Sequence, residues 1–354
     1  MKTIFRKAAY IILALAAAGC AKAVVEGTNI AEKRYFDAWM HNNHPELKPS
    51  GLGIYVLEES VGEGGKKVEK DGYLLVEYTV TDLEGNITSY TGKETAKQLG
   101  EYDTTTYYGA KVASTFESTL QAGIADAVIG MRVGGKKKVV IPGWLMTYSS
   151  YDTPEEYIEK ATSGTHSIYD ITVKDFTDSI ESWEKQQIQK YFEANRPLFG
   201  DLDTTDFIVM KVKEDDAEDT NFDGMYFKST EPAKFAFDND TTIYINYTGK
   251  LLNGLVFDTN KEKVAKDNGL YSSSRSYEPV EISWSSDYSS ITMGSEASSI
   301  ITGFALALRQ MGAFEKGTAV FTSPYGYSYS GSGSSIPGYS PLVFELEVVA
   351  EPEE

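Results

Sequence analysis

Cysteine, histidine and basic residues are all scarce in this chain of 354 residues. Its single cysteine, Cys20, cannot form an intramolecular disulfide, which excludes a disulfide-stabilised scaffold. The 33 lysines and arginines are outnumbered by 52 aspartates and glutamates, and the formal net charge is -19. Because nucleic-acid binding depends on basic residues, this balance argues against a nucleic-acid partner. His41 and His44 form the one close histidine pair, without a third ligand at suitable spacing, so we expect no metal and no cofactor.

Long hydrophobic runs are also lacking beyond the N-terminus. There, basic residues precede an apolar run at positions 8–18 that is too short to span a bilayer. This pattern predicts a secretory signal peptide over residues 1–20. The sequence AAGC resembles a bacterial lipobox, which implies lipidation at Cys20 and an exported, lipid-anchored protein of the cell envelope, on the periplasmic or surface face of the outer membrane. The alternative is an ordinary leader in which Cys20 has no role.

The remaining chain contains two similar units. Helical spacing of aromatic residues at 31–40 recurs at 182–195, and each helix is followed by a strand-rich region with a short helix near its end. The strand openings GIYVLEE (53–59) and DFIVMKV (206–212) are comparable. We interpret the pattern as a diverged internal duplication of class α+β. The predicted segments are a tether and N-terminal helix at 21–50, a first domain at 51–177, a linker helix at 178–197, and a second domain at 198–354 with its core at 241–350.

An acid beside an aromatic ring marks the candidate site in the second unit. The stretch YTGKLLNGLVFDTN places Phe257 and Asp258 directly after an Asn-Gly turn. A carboxylate next to a bulky apolar ring is costly to bury unless it has a partner. A residue chosen only for core packing would not be an aspartate, so Asp258 indicates a functional site.

Three sequence blocks stand out in the second unit: Y-x-G-x-L-x-N-G-x-x-F-D from Tyr247, I-I-x-G-F-x-x-A-L-x-x-M from Ile300, and I-P-x-x-x-P-L-V-F-E-L from Ile336. Over residues 241–350 they resemble the FKBP-type peptidyl-prolyl cis-trans isomerases. Their order and spacing together make the resemblance specific. It implies a curved antiparallel sheet wrapped around a short helix, with an apolar pocket between them, and it implies two such domains here.

The resemblance also implies roles for single residues. Phe257, Phe304 and Phe344 would hold the proline ring, with Phe304 at the position where the family usually has tryptophan. The backbone N–H of Ile301 would bind a substrate carbonyl, and Asp258, held by Tyr247, would act electrostatically on the reacting amide. Other expected pocket residues are Ile300, Ile336, one of the aromatic-position candidates Val280, Ile282 and Trp284, and a loop tyrosine, either Tyr327 or Tyr329.

The first unit keeps the scaffold of this pattern but loses its acid. Thr88 and Ser89 stand where Phe257 and Asp258 stand in the second unit. Leu120 and Gln121 replace the isoleucine pair, Ile124 replaces Phe304, and Tyr169 replaces Phe344. We therefore expect a weak or inactive copy that binds chain segments or separates the second unit from the membrane.

The implied activity is isomerisation of X-Pro bonds in exported proteins, as a folding helper. The barrier to rotation of a peptide bond is about 18–20 kcal/mol, because resonance holds the bond planar. An apolar aromatic pocket favours the twisted, less polar bond over the planar one. Two alternatives remain open, a non-catalytic peptide-binding chaperone and a glycan-binding surface lipoprotein with Tyr- and Ser-rich loops. The helices before each unit offer a surface for a homodimer.

Overall fold

The computed structural model describes residues 27–199, 223–237 and 239–353. Within them the chain forms two antiparallel sheets, each with a short helix packed against it, which confirms the α+β class and the two-domain fold. The predicted signal peptide with Cys20, and the segment 206–212, lie outside the described residues. Among the helices of the described ranges, none combines the length and apolarity needed to cross a membrane.

The first domain has a six-stranded sheet of order β1-β5-β6-β2-β3, with β4 pairing with β2. Its long strands form because apolar residues alternate with polar ones, so that one face packs on the helices. Its elements are α1 (Ile30–Asn43), β1 (Tyr55–Ser60), β2 (Tyr73–Thr81), β3 (Ile87–Tyr90), α2 (Lys93–Leu99), β4 (Lys111–Ser114), α3 (Ala122–Val128), β5 (Lys136–Ile141), α4 (Pro154–Lys160) and β6 (Ser167–Thr177).

The second domain has an eight-stranded sheet of order β12-β11-β10-β8-β14-β13-β7, with β9 pairing with β8. Strand β7 precedes residue 241, so the sheet begins before the predicted core of 241–350. The elements are α5 (Ile180–Ala194), α6 (Arg196–Phe199), β7 (Met225–Glu231), β8 (Thr241–Leu251), β9 (Val256–Thr259), α7 (Glu262–Asp267), β10 (Val280–Trp284), β11 (Thr292–Met293), β12 (Ser298–Ser299), α8 (Thr302–Gln310), β13 (Lys316–Phe321) and β14 (Leu342–Val349).

Matching strand registers show that the two domains share the same strand topology. Val80 pairs with Tyr169 in the first sheet, and Gly249 pairs with Phe344 at the equivalent place in the second. Strand β1 pairs with β5 as β7 pairs with β13. Among the described strands the counterpart of β1 is therefore β7. The segment 206–212, which was compared with 53–59 from the sequence, lies outside the described residues, so that comparison stays a prediction.

A glycine at the start of each central helix lets that helix lie directly on its sheet. A Cβ atom at Gly123 would lie 2.3 Å from Ile141, and one at Gly303 would lie 2.6 Å from the ring of Phe321. Ile141 and Phe321 end the equivalent strands β5 and β13. The close approach buries six consecutive residues of α8, from Gly303 to Leu308, in the core of the second domain.

Helix α5, predicted as a linker, is fixed to both domains. Its Trp183 Nε1 donates to Asp175 Oδ2 of the first domain at 3.0 Å. The carboxylate of the next residue, Glu184, accepts from the N–H and the hydroxyl of Ser323 in the second domain, at 2.6 and 2.7 Å. Glu184 is 1% exposed, and burial raises the pKa of its carboxyl group, although the bonds from Ser323 oppose the shift.

The apolar face of α5 covers the outer surface of the second sheet. Ile188 and Phe192 form a buried cluster there with residues of α6, β13 and β14, whose members are Phe199, Val320 and Val343. The helix is thus part of the structure of the second domain. Helix α1 has a comparable position in the first domain, where Phe36 and Met40 are buried in the main core.

We predict that Glu184→Ala lowers the free energy of unfolding of the second domain by about 2–4 kcal/mol, because it leaves two buried donors of Ser323 without an acceptor. Glu184→Gln retains one acceptor and should cost less. Urea unfolding followed by tryptophan fluorescence measures the change. The matched control is Glu181→Ala, which removes an exposed partner of Lys185 on the same helix and should cost about 0.5 kcal/mol or less. Equal effects of the two alanine variants would refute the role of Glu184.

Candidate active site

Four aromatic rings form one continuous wall between the second sheet and α8. The centroid of the Phe304 ring lies 5.7 Å from that of Tyr247 and 5.0 Å from that of Phe344. Phe257 meets Phe344 edge to face at 5.6 Å. Phe304 and Phe344 are 3% and 4% exposed, whereas Phe257 is half-buried. The predicted aromatic residues are therefore brought together, with Phe257 nearest to solvent.

Gly249 makes room for two of these rings. A Cβ atom at this position would lie 2.6 Å from the ring of Phe257 and 2.9 Å from that of Phe344. Strand β8 pairs with β9 and β14 on either side, so a side chain at residue 249 would displace one ring or the other. Packing of these two rings therefore explains why the Y-x-G motif has glycine at this position.

The carboxylate of Asp258 is held by two donors at the edge of the ring wall. Tyr247 donates its hydroxyl to Oδ2 at 2.7 Å, and Arg275 donates Nη1–H to Oδ1 at 2.6 Å. Arg275 Nη2 also donates to the hydroxyl oxygen of Tyr247 at 3.0 Å, which closes a triangle of three side chains. The Asp258 side chain is 39% exposed, so it lies at the protein surface rather than in the core.

Burial and charge set the protonation of this triangle. Burial of the Tyr247 hydroxyl, together with the negative charge and hydrogen bond of Asp258, raises the pKa of the phenol far above its usual value. The phenol therefore remains a neutral hydrogen-bond donor. Partial burial opposes protonation of Arg275, but the hydrogen bond and charge of Asp258 outweigh it and raise the pKa of the guanidinium group. The arrangement keeps a fixed ion pair beside apolar rings.

Asn260 fixes the backbone around the triangle. Its Oδ1 accepts from the N–H of Tyr247 at 2.8 Å, and its Nδ2 donates to the carbonyls of Ile245 and Glu278 at 3.0 and 3.1 Å. Glu278 belongs to the loop at 268–279 that contains Arg275. One buried amide thus ties strand β8 to the loop from which the arginine reaches Asp258.

The N-terminus of α8 presents a backbone donor near the rings. Ile301 is the N-cap residue of this helix and has extended backbone angles. Ile300 and Ile301 are half-buried and pack against the hydrophobic core of the second domain, which includes the rings. Within the described part of the chain, the Ile301 N–H donates no backbone hydrogen bond. This group is therefore free to bind an external carbonyl.

The structure separates the two loop tyrosines. Tyr327 is half-buried and packs against the main cluster, and burial together with the nearby charge of Asp258 raises the pKa of its phenol. Tyr329 is 71% exposed and has no place in the ring wall. Ile336 is buried in the same cluster as the rings. Of the two tyrosines left open by the sequence, Tyr327 is the one beside Asp258.

The β10 candidates also separate. Val280 is half-buried, packs on the ring cluster and pairs with Ile245 across the sheet. Trp284 belongs to the same buried cluster, where its Nε1 donates to the carbonyl of Leu308 at 2.9 Å and its ring lies 5.2 Å from Phe237. Its indole thus meets α8 one turn after Phe304. Its role as a pocket residue stays a prediction.

Arg275 was missed from the sequence alone. It lies 17 residues after Asp258, in a loop longer than the compact motif predicts, so no local pattern pointed to it. A comparison of the two domains could have drawn attention to the loop that contains Arg275. Tyr102 and Tyr108 stack at 5.6 Å in the first domain, and Tyr271 and Tyr277 stack at 5.5 Å at the equivalent positions in the second. When the two tyrosine pairs are aligned, Thr106 of the first domain is the residue equivalent to Arg275.

The first domain retains the frame of the site but lacks the charged triangle. Tyr78, Ser89 and Thr106 occupy the positions of Tyr247, Asp258 and Arg275. Thr91 Oγ1 accepts from the N–H of Tyr78 at 3.0 Å, the same backbone support that Asn260 gives in the second domain. Burial raises the pKa of Tyr169, the counterpart of Phe344, to about 12. Ser89 is exposed and cannot replace a carboxylate.

A metal centre finds no support in the described residues, which contain no group of three or more His, Cys, Asp or Glu side chains placed to hold an ion.

Comparisons with known proteins identify only part of the chain. Residues 233–349 match the family model of FKBP-type peptidyl-prolyl cis-trans isomerases. No curated protein sequence matches the chain. A solved structure of the three FKBP domains of wheat FKBP73 is 14% identical, with a TM-score of 0.27, and the match covers 84% of this chain and 94% of that one.

Two further solved structures are similar over smaller parts of the chain. A peptidyl-prolyl cis-trans isomerase from Pseudomonas syringae pv. tomato is 22% identical over 49% of this chain and 97% of that one, with a TM-score of 0.29. The N-terminal domain of FKBP42 from Arabidopsis thaliana is 13% identical over 37% of this chain and 88% of that one, with a TM-score of 0.26.

We predict measurable energetic coupling between Arg275 and Asp258. A double-mutant cycle with Arg275→Ala and Asp258→Asn, followed by urea unfolding, should give a coupling energy of about 0.5–1 kcal/mol, because both side chains also bond to Tyr247. The control is the pair of Lys263 and Asp267 on the surface of α7, for which we expect about 0.3–0.5 kcal/mol at most. Additive effects of the two substitutions would show that the triangle does not exist in solution.

Proposed function

We propose that the second domain catalyses rotation about X-Pro bonds in polypeptides, because residues 233–349 match the family model of FKBP-type peptidyl-prolyl cis-trans isomerases. The observation that supports this proposal most strongly is the fixed Asp258–Tyr247–Arg275 triangle at the edge of an apolar ring wall. This arrangement offers a dry surface and a single oriented charge side by side. The proposal requires neither a nucleophile nor a cofactor.

The physical basis is differential binding of the twisted bond. A planar X-Pro bond has a strongly polar carbonyl because resonance moves electrons from nitrogen to oxygen. Rotation removes this resonance, so the twisted bond is less polar and needs less water. A pocket of aromatic rings therefore stabilises the twisted form relative to the planar one, and that difference accelerates the reaction.

Each group of the site has a role in this scheme. Phe257, Phe304 and Phe344 enclose the proline ring, and the free N–H of Ile301 binds a carbonyl of the substrate next to the proline. The carboxylate of Asp258 faces the reacting amide and acts on its changing dipole, while Tyr247 and Arg275 prevent the carboxylate from turning away. Tyr327, the loop tyrosine near Asp258, donates a hydrogen bond to the substrate chain.

We further propose a cellular setting in which the protein assists the folding of exported proteins. The leader at 1–20 and the AAGC sequence support export and a lipid anchor at Cys20. In this setting the first domain, which lacks the charged triangle, is the non-catalytic member. Slow X-Pro isomerisation limits folding on a scale of tens of seconds, so an envelope protein that shortens it would be useful to newly exported chains.

The test is a protease-coupled assay of an Ala-Xaa-Pro-Phe peptide with the full chain and with Asp258→Ala. We expect acceleration by the full chain and a loss of about tenfold or more in kcat/KM for the variant, because the oriented charge is removed. The matched control is Ser89→Ala, at the equivalent position of the first domain, which should leave kcat/KM unchanged. Circular dichroism would verify that both variants are folded.

Two results would contradict the proposal. A full chain that does not accelerate the reaction would exclude catalysis, and binding of unfolded chains without acceleration would instead favour the peptide-binding chaperone. An Asp258→Ala variant with full activity would show that the aromatic surface works without the charge, so the triangle would not be the basis of the mechanism.

A further inference from the structure

A loop of the first domain reaches the second domain beside the candidate site. The loop between α2 and β4 comprises residues 100–110, and we call it the bridging loop. The backbone N–H of Tyr107 donates to the carbonyl of Ser334 at 2.9 Å, and Thr106 Oγ1 donates to Ser334 Oγ at 3.3 Å. Ser334 lies in the loop at 326–341 of the second domain, which also contains Tyr327 and Ile336.

The other end of the same segment meets a different loop of the second domain. Thr104 lies so close to Gly269 that a Cβ atom on the glycine would be 2.5 Å from Thr104 Oγ1. Gly269 has a φ of +77°, which a residue with a side chain adopts only with strain. Gly269 belongs to the loop at 268–279 that contains Arg275.

The segment from Thr104 to Tyr107 therefore connects the two loops of the second domain that contain Arg275 and Tyr327. Tyr107 contributes more than its backbone, because its ring is half-buried and packs against the core cluster of the second domain. Its hydroxyl donates to the carbonyl of Ala110 in its own loop at 2.9 Å, which fixes the ring in this position. Tyr73 and Tyr339 make a second contact between the domains, edge to face at 5.4 Å.

We propose that Tyr107, a residue of the domain without the charged triangle, is a positioning residue for the isomerase site of the second domain. Through Thr104 and Tyr107, the bridging loop holds the Arg275 loop and the Tyr327 loop at a fixed separation, so that a proline-containing chain meets a formed site. Loops that are ordered beforehand lose less conformational entropy when substrate binds. This inference rests on the isomerase function proposed above, because the positioned groups are those assigned to that reaction.

The kinetic test compares three variants of the full chain in the peptide assay. Tyr107→Ala should raise KM about three- to tenfold with a smaller change in kcat, because substrate binding must then order both loops. Tyr107→Phe keeps the ring and should retain a KM close to that of the unchanged protein. Tyr102→Ala removes another aromatic residue of the bridging loop whose ring contacts, Tyr108, Lys93 and Lys97, all lie in the first domain, and it should leave KM unchanged.

Amide hydrogen exchange tests the positioning without any catalysis. The N–H groups of Ser332 and Ile336 bond to each other's carbonyls at 2.8 and 3.1 Å inside the Tyr327 loop. Their exchange should become about tenfold faster in Tyr107→Ala and remain unchanged in Tyr107→Phe and Tyr102→Ala, because local opening depends on the packing that is removed.

The two measurements separate this inference from the proposed function. If the unchanged protein does not accelerate the peptide reaction but exchange at Ser332 and Ile336 responds to Tyr107→Ala, the isomerase function is wrong and the loop contact stands. Unchanged exchange in Tyr107→Ala would overturn the positioning role whatever the activity. A fall in KM or a rise in kcat/KM for Tyr107→Ala would also overturn it, since the loop would then obstruct the site instead of ordering it.

Discussion

The charged triangle of Asp258, Tyr247 and Arg275 is the interaction on which the rest of the candidate site depends. A carboxylate beside apolar rings is stable only when donors replace the water that the rings exclude. Tyr247 and Arg275 replace that water from two sides, and each also bonds to the other. Because Tyr247 contacts Phe304 as well, the same phenol links the charge to the ring wall. The site is thus one connected unit rather than a pocket with a nearby acid.

The duplication shows which features maintain the fold and which serve the site. Both domains keep the strand registers, the glycine under the central helix, the stacked tyrosine pair and a side-chain acceptor for the first tyrosine's N–H. Only the second domain has the carboxylate and the guanidinium group. The first sheet forms without such a pair, so the charged triangle is not needed for the fold of this domain.

The domains are held together by contacts on two sides. Adjacent residues of α5 bond to the first domain through Trp183 and to the second through Glu184, and the bridging loop makes its contacts with Ser334 and Gly269. The contacts of Trp183, Glu184 and Ser334 each involve a polar group with a defined partner, which fixes orientation as well as proximity.

The sequence predicted those features that depend on local pattern. The alternating strands and the two long helices followed from periodicity, whereas the aromatic positions 257, 304 and 344 followed from the resemblance to the FKBP-type isomerases. Arg275 could not be found in this way, because a loop of variable length separates it from Asp258 and its partner is defined only in three dimensions. The sequence could not choose among Val280, Ile282 and Trp284 for a related reason, since alternation shows which residues of a strand face inward but not which turn of a helix they meet. No local sequence pattern predicts the contact of Tyr107 with the other domain.

The most direct test of the central claim is exchange spectroscopy of an X-Pro peptide by NMR in the presence of the full chain. The account predicts exchange between cis and trans signals far faster than the tens of seconds of the free peptide, with peptide protons in contact with the rings of Phe304 and Phe344. Exchange no faster than in the free peptide, or contacts confined to the first domain, would contradict it.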